Sequence, residues 1–213
     1  MTTSQRRLRG SAVGAEERPP AHRPSRRGEI VAAAIQVFGA EGLAGATIAD
    51  VADTAGMAPA AVYYHFSGKE ELLSAAVEVI GNDVTSIAAR AMADPSLEPV
   101  DQLAAAVRLV FAWADDHREE AQLFYLWAVG AAPEVERIRR SFYERHVHGA
   151  RLRMVGTTIP PEAVDLAART VVSMSIQTSV AWLSEDVFPD GTTRKAVVDG
   201  LVRTAVRLFG LDR

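Results

Sequence analysis

The chain has 213 residues, 48% of them hydrophobic, with 23 lysines and arginines against 27 aspartates and glutamates for a net charge of −4. That length suits a small domain joined to a larger one, and the apolar share supports a packed core. The chain has no cysteine, which excludes disulfides, thiolate chemistry and zinc–thiolate sites; no uninterrupted apolar run nears the roughly 20 residues of a membrane helix, and the polar, arginine-bearing start is unlike a secretory signal, so a cytoplasmic protein away from membranes is expected.

Charge is placed unevenly along the chain. Residues 1–27 hold seven arginines against Glu16 and Glu17, a net of +5, which leaves −9 for the remainder. The stretch "ERPPAHRPSRR" shows neither helical nor strand periodicity, so residues 1–24 are expected to form a flexible basic arm. Such an arm is either merely solvated or drawn to phosphates.

Ordered structure is expected from "GEIVAAAIQVFGAEG", where Ile30, Ala33, Ala34, Val37 and Phe38 recur at helical spacing and Gly42 stops the helix. In "TIADVADTAG", Thr47 and Asp50 fit a capping box, Ile48, Val51 and Ala52 face inward, and Gly56 ends a second short helix. "PAAVYYHF" follows almost at once, with Pro59 suited to a first helical position. Two short helices meeting at a tight glycine turn make a helix-turn-helix, in which the second helix is carried on the first and presented to a major groove.

The next boundary falls at Ser67, with Glu70 three residues on as the partner in an S-x-x-E box. Lys69 then sits in the first turn of a helix, where the positive end of the dipole disfavours a cation. It is either a tolerated surface lysine or one of several groups gathering a phosphate at that helix start. Tyr63, Tyr64 and His65 supply donors that can reach phosphate oxygens, while Phe66 reads as core. Adjacent tyrosines point about 100° apart on a helix, so one packs while the other reaches out.

"TIADVADTAGMAPAAVYYHFSGKEELL", preceded by the helix ending in "FGAEG", resembles the DNA-binding domain of the TetR (tetracycline-repressor) family of bacterial transcriptional regulators. The likeness covers about residues 26–73 and joins Phe38, Gly42, Thr47, Ala52, Gly56, Val62, Tyr63, Phe66, Lys69 and Leu72 at fixed spacing. It implies an all-α fold: a three-helix DNA-binding domain over residues 25–69, then a larger helical ligand-binding and dimerisation domain over 70–213. It also implies Thr47 at a phosphate, Pro59, Ala60 and Ala61 facing base edges, and Tyr63, Tyr64, His65 and Lys69 on the backbone of double-stranded DNA. Ala58 stands where the family commonly has a capping serine. Pro59, Ala60 and Ala61 offer no side-chain hydrogen bonds, which leaves methyl contacts and DNA shape for discrimination. Lys69 is the one lysine or arginine in residues 28–69, against Glu29, Glu41, Asp50 and Asp53. Arg26, Arg27 and the arm are therefore expected to supply much of the phosphate attraction.

From Glu70 onward the pattern is helical throughout, with breaks at "DPSLEP", near Asp116, and at the prolines before "PEVERIRR" and "PEAVDLAA". The last two helices carry broad apolar faces, and with the family resemblance they predict a homodimer that reads an inverted-repeat operator. Large side chains concentrate in this region. Most are core, and Trp113, Phe124, Trp127, Phe142, Met174 and Gln177 are the candidate contacts for a small apolar or aromatic effector. Gln177, Ser173 and Thr178 either orient that ligand or bond across the dimer.

No P-loop, G-x-S-x-G, H-E-x-x-H or di-iron Glu-x-x-His pair is present, and no catalytic residue, metal or cofactor is expected. His146 and His148 point to different faces of a helix and read as solvated. The expected function is a repressor released from its operator by a ligand. The competing reading, kept open by the acidic head, is a helical ligand-binding or scaffold protein with non-specific or lost DNA binding.

Overall fold

The computed structural model describes residues 25–184 and 187–209; the arm expected over residues 1–24 lies outside them. Among the described residues every regular element is helical, as the periodicity requires. Helix α1 (Arg26–Gly45) opens on Ser25, whose Oγ accepts the Gly28 N–H at 3.2 Å. Its Ile30, Ala33, Ala34, Val37 and Phe38 stripe is buried. Gly42 interrupts it at φ 69°, ψ 167°, a conformation that is inexpensive only for glycine. The expected stop is thus a kink, after which a last turn runs to Gly45.

Helix α2 (Ile48–Thr54) begins at a reciprocal cap: the Asp50 N–H donates to Thr47 Oγ1 at 3.2 Å and the Thr47 N–H to Asp50 Oδ2 at 2.8 Å. Such caps are worth about 1 kcal/mol. Gly56 takes φ 65°, and Met57 N–H returns to the Ala52 carbonyl at 2.9 Å, which folds α3 (Pro59–His65) back across α2. Ala58 gives α3 no side-chain cap.

The boundary before α4 (Lys69–Met92) differs from the S-x-x-E reading. Gly68 is the N-cap, and Ser67 donates from both N and Oγ to Glu71 Oε2, at 2.8 and 2.7 Å. A carboxylate one full turn inside reaches both donors at once, so the serine gives a hydrogen bond instead of capping, and Glu70 stays exposed. These two bonds from Ser67, backbone first, lower the Glu71 pKa.

The remaining elements are α5 (Pro99–Asp116), α6 (Arg118–Gln122), a π-helical turn (Leu123–Trp127), α7 (Pro133–Met154), a short 3₁₀ turn (Pro161–Ala163), α8 (Val164–Leu183) and α9 (Arg194–Leu208). Helix α4 is the axis of the fold, packing on α1, α5 and α7, while α8 lies on α7 and α9 on α5 and α8. By length and composition α4 could cross a bilayer, which a search for unbroken apolar runs does not register. Here Leu72, Leu73, Val77, Ile80 and Val84 are buried by neighbouring helices, while Val79 is exposed. Asp115 ties the far side together, accepting Trp182 Nε1 at 2.7 Å and Arg194 Nη1 at 3.0 Å.

The largest core cluster runs without a break from α1, α2 and α3 through α4 to Trp113, Leu123, Phe124, Val135 and Phe142. Three smaller clusters centre on Met154 and Val172, on Ala88 and Ala106, and on Phe111 and Val198. Where the four meet there is a cavity of about 320 Å³, with Phe142, Val172, Ala106 and Phe111 each contributed by a different cluster.

Candidate nucleic-acid interface and ligand cavity

The short helices place one set of side chains on a common outer surface. Pro59 and Ala60 are exposed and Ala61 is half-buried; Tyr63 is 58% and Tyr64 86% exposed. Residues 62 and 66 are the inward positions of this stretch, and Val62 and Phe66 are buried. The tyrosines therefore both reach solvent, unlike the expected division into one packed and one free. His65 is half-buried and meets the Tyr64 ring edge-on at 5.1 Å. Thr47 is exposed at the start of α2, its Oγ1 donating to Asp50 Oδ2 at 2.6 Å.

Arg26 and Arg27 occupy the exposed first turn of α1. The Arg27 guanidinium lies 4.7 Å from the centre of the Phe66 ring, so the start of α1 and the end of α3 are neighbours. That contact places a cation at the end of the helix that carries the tyrosines, on a head that is otherwise acidic.

Lys69 departs from the expectation of a free ammonium. Its Nζ donates to the Leu43 and Ala46 carbonyls, the latter at 2.6 Å. Both oxygens belong to the last turn of α1 and its cap, groups that the helix itself leaves unsatisfied. The lysine closes the end of α1 onto the start of α4, and its cost near the α4 dipole is offset by this second, carbonyl-rich helix end.

The cavity is walled by α4, α5, the π turn, α7 and α8. Of the six candidate ligand contacts, Phe124 and Phe142 line it and the other four do not. On α8 the cavity takes Val171, Val172, Ser175, Ile176 and Ser179, while Met174, Gln177, Thr178 and Ala181 line a separate open groove toward α9. At about 100° per residue these two sets fall on different sides of the helix. Trp113 belongs to the main core and stacks on His117 with ring centres 5.6 Å apart. Trp127, at the end of the π turn, is 45% exposed.

Polar groups complete the wall. His146, read as solvated, is on it. Its Nδ1 lies 2.8 Å from the Phe142 carbonyl, an acceptor only, so Nδ1 carries the proton and Nε2 presents a lone pair. Burial lowers its pKa, a shift opposed by the bond to Phe142 and reinforced by Arg145. Arg139 donates from Nη1 to the Phe124 carbonyl and stacks on that ring at 5.5 Å; burial also lowers its pKa, with Glu136 opposing. Burial pushes the Tyr125 phenol up to about 12. Residues 139, 142, 146 and 150 recur at steps of three and four, so the stripe that marks Phe142 as inward also marks Arg139 and His146.

Two close approaches tie α7 to α4 and α6 to α1. A Cβ on Gly81 of α4 would collide with the Phe142 ring, and one on Gly39 of α1 would lie 2.9 Å from both Cβ and the carbonyl oxygen of Glu119 in α6. Helix α6 leads directly into the π turn that carries Phe124 and Tyr125.

Residues 30–76 match the family model described as bacterial regulatory proteins, tetR family. Over 156 residues the chain is 30% identical to the HTH-type transcriptional regulator BetI of Stenotrophomonas maltophilia, an alignment covering 71% of this chain and 78% of that one. Among solved structures, a TetR-like transcriptional regulator from Rhodococcus sp. RHA1 superposes with a TM-score of 0.70 at 22% identity, over 92% of this chain and 100% of the other. The regulator FadR of Bacillus subtilis, solved in complex with stearoyl-CoA, superposes with a TM-score of 0.66 at 16% identity, over 85% of this chain and 96% of its own. At those identities the two structures establish the shared fold.

Proposed function

The chain belongs to the TetR family of bacterial regulatory proteins, and from that premise we propose how it works as a DNA-binding transcriptional repressor. Residues 25–69 form the reading head and residues 70–213 the ligand-binding and dimerising body. Two copies pair through α8 and α9, presenting two α3 helices about 34–36 Å apart to successive major grooves of an inverted repeat. Pro59, Ala60 and Ala61 face base edges. Thr47, Tyr63, Tyr64 and His65 hold phosphates, and Arg26, Arg27 and the arm add the charge that the head lacks. Lys69 sets the angle between α1 and α4 instead of gripping DNA in this conformation. The protein acts by binding in the cytoplasm, and catalysis has no part in the scheme.

The observation that carries this reading is the joint exposure of Tyr63 and Tyr64 on α3, with Arg27 against Phe66 at the end of that helix, on a head whose core continues into the cavity wall. An effector in the cavity displaces Phe142, which bears on α4 at Gly81, and α4 turns the head through Lys69. Effector and operator then weaken each other's binding by one common factor.

The acidic balance of residues 28–69 favours the competing reading of a helical ligand binder without operator preference. Selection from random duplexes with the full chain separates them. An enriched inverted repeat supports the repressor, whereas salt-sensitive binding with no enriched sequence supports the competitor.

A further inference from the structure

The charged groups of the main cavity gather at one end. Gly81 of α4 lies against Phe142 of α7, and farther along both helices the Met92 carbonyl accepts Arg153 Nη2 at 2.6 Å, so α4 and α7 run the same way. Arg153 also donates to Gln102 at 3.1 Å, which brings the start of α5 to the Met92 end. Met92, Leu103 and Ala150 therefore form one end of the lining, and it is apolar. Glu136, Arg139 and Arg140 lie toward the other, beside Phe124 of the π turn. The rise along α7 from Arg140 to Ala150 is roughly 15 Å.

The charges at that end do not cancel. Arg139 commits its guanidinium to the Phe124 carbonyl and ring, with Glu136 Oε1 3.6 Å from its Nε. Glu136 Oε1 also accepts the Gly130 N–H at 2.7 Å, so these two side chains offset each other. Arg140 is exposed, and among the described residues no hydrogen bond or ion pair holds it. Glu144, one turn on, is taken at both oxygens by Arg169, at 2.9 and 3.1 Å. Burial lowers the His146 pKa and raises that of Tyr125, so at neutral pH neither adds a charge. One positive charge is left over at the rim of an elongated, largely apolar hollow.

A guanidinium presents paired N–H donors that match a carboxylate, and apolar walls favour a tail that follows them. A dianion would leave one charge unmatched near Glu136, and a cation would meet Arg140 directly. We propose that the cavity takes a monocarboxylate with an unbranched apolar tail, its carboxylate on Arg140 and its tail running toward Met92 and Leu103. This rests on the reading of the cavity as the effector site, and it names the effector's class.

The test is calorimetric titration of the full chain, without DNA and below micellar concentrations, using decanoate, decanamide, decylammonium and decyl phosphate. Decanoate is expected to bind about five-fold or more tightly than each of the other three. Shortening it to octanoate and then hexanoate should weaken binding about ten-fold at each step, as the buried tail loses two methylenes. Arg140→Gln should bring decanoate down to the affinity of decanamide, which itself changes by no more than about two-fold. Arg137→Gln, which removes an exposed arginine outside the cavity, should leave the preference intact. Equal binding of decanoate and decanamide, tighter binding of the ammonium or the phosphate, an Arg140→Gln variant that keeps the preference, or no binding by any probe overturns the assignment. If decanoate binds as expected yet leaves operator affinity unchanged, the ligand assignment stands and the effector reading fails.

Discussion

The ring of Phe142 occupies the space that a side chain on Gly81 would need, so α7 and α4 approach as closely as a glycine permits. Phe142 is also a wall of the cavity. One aromatic ring thus touches both the space an effector would fill and the helix that begins at the reading head.

Gly81→Val should force those helices apart. Overpacking of this kind costs about 1–3 kcal/mol, so the urea midpoint should fall with little change in slope. If the ring is the transmitter, the variant should also bind operator more weakly without any effector. Unchanged operator affinity in a folded Gly81→Val would place the transmission elsewhere, with the Gly39–Glu119 contact the next candidate.

Lys69→Met separates two roles for one ammonium. Removing the bonds to the Leu43 and Ala46 carbonyls should lower stability by roughly 1–3 kcal/mol, since partly buried acceptors lose a charged donor. The salt dependence of DNA binding should stay the same. A slope reduced by about one unit per subunit would instead put the ammonium on a phosphate in the complex.

Tyr63→Phe and Tyr64→Phe remove hydroxyls and no charge. Each should weaken operator binding by about 1 kcal/mol with the salt slope intact, whereas deleting residues 2–24 should reduce the slope itself. If the deletion leaves affinity and slope unchanged, the arm has no part in binding.

Most of the head was legible in the sequence because its signals are local. Thr47 with Asp50, Pro59, and the positive-φ glycines at 42 and 56 act within a few residues of themselves. The Ser67 cap was misread because Glu70 and Glu71 are equally plausible by spacing, and only the geometry of the first turn selects the latter. Lys69 was ambiguous because its acceptors lie 26 and 23 residues away. The cavity was hardest to foresee. Large aromatic side chains fill core and line pockets alike, so size could not tell Phe124 and Phe142 from Trp113 and Trp127. The informative signal was polar residues at inward positions, Arg139 and His146, set on the same stripe as Phe142.

His146 also gives stability a pH dependence with a definite sign. Its folded pKa lies below the ordinary value of 6.5 because burial disfavours the charged ring. As pH falls below 6.5 the unfolded chain takes up the proton first, so stability declines until the folded value is reached. The carboxylates lowered by hydrogen bonding, Asp50 and Glu71 among them, begin to act only near pH 4.5 and below. Glu120, raised by burial, has the opposite sign. Thermal denaturation between about pH 5 and 6.5 should therefore show a slope that His146→Leu flattens; an unaltered slope would mean the ring is not held neutral.

In the proposed complex one symmetric dimer carries two reading heads at the spacing of a DNA turn. The chain has no cysteine, so Thr54→Cys at the exposed end of α2 accepts a single spin label per subunit. On a duplex recovered by selection, pulsed dipolar spectroscopy should give one narrow inter-label distance, consistent with α3 helices roughly 34–36 Å apart. A bound complex with no dipolar coupling, or with a broad spread of distances, would mean that no such dimer reads the operator.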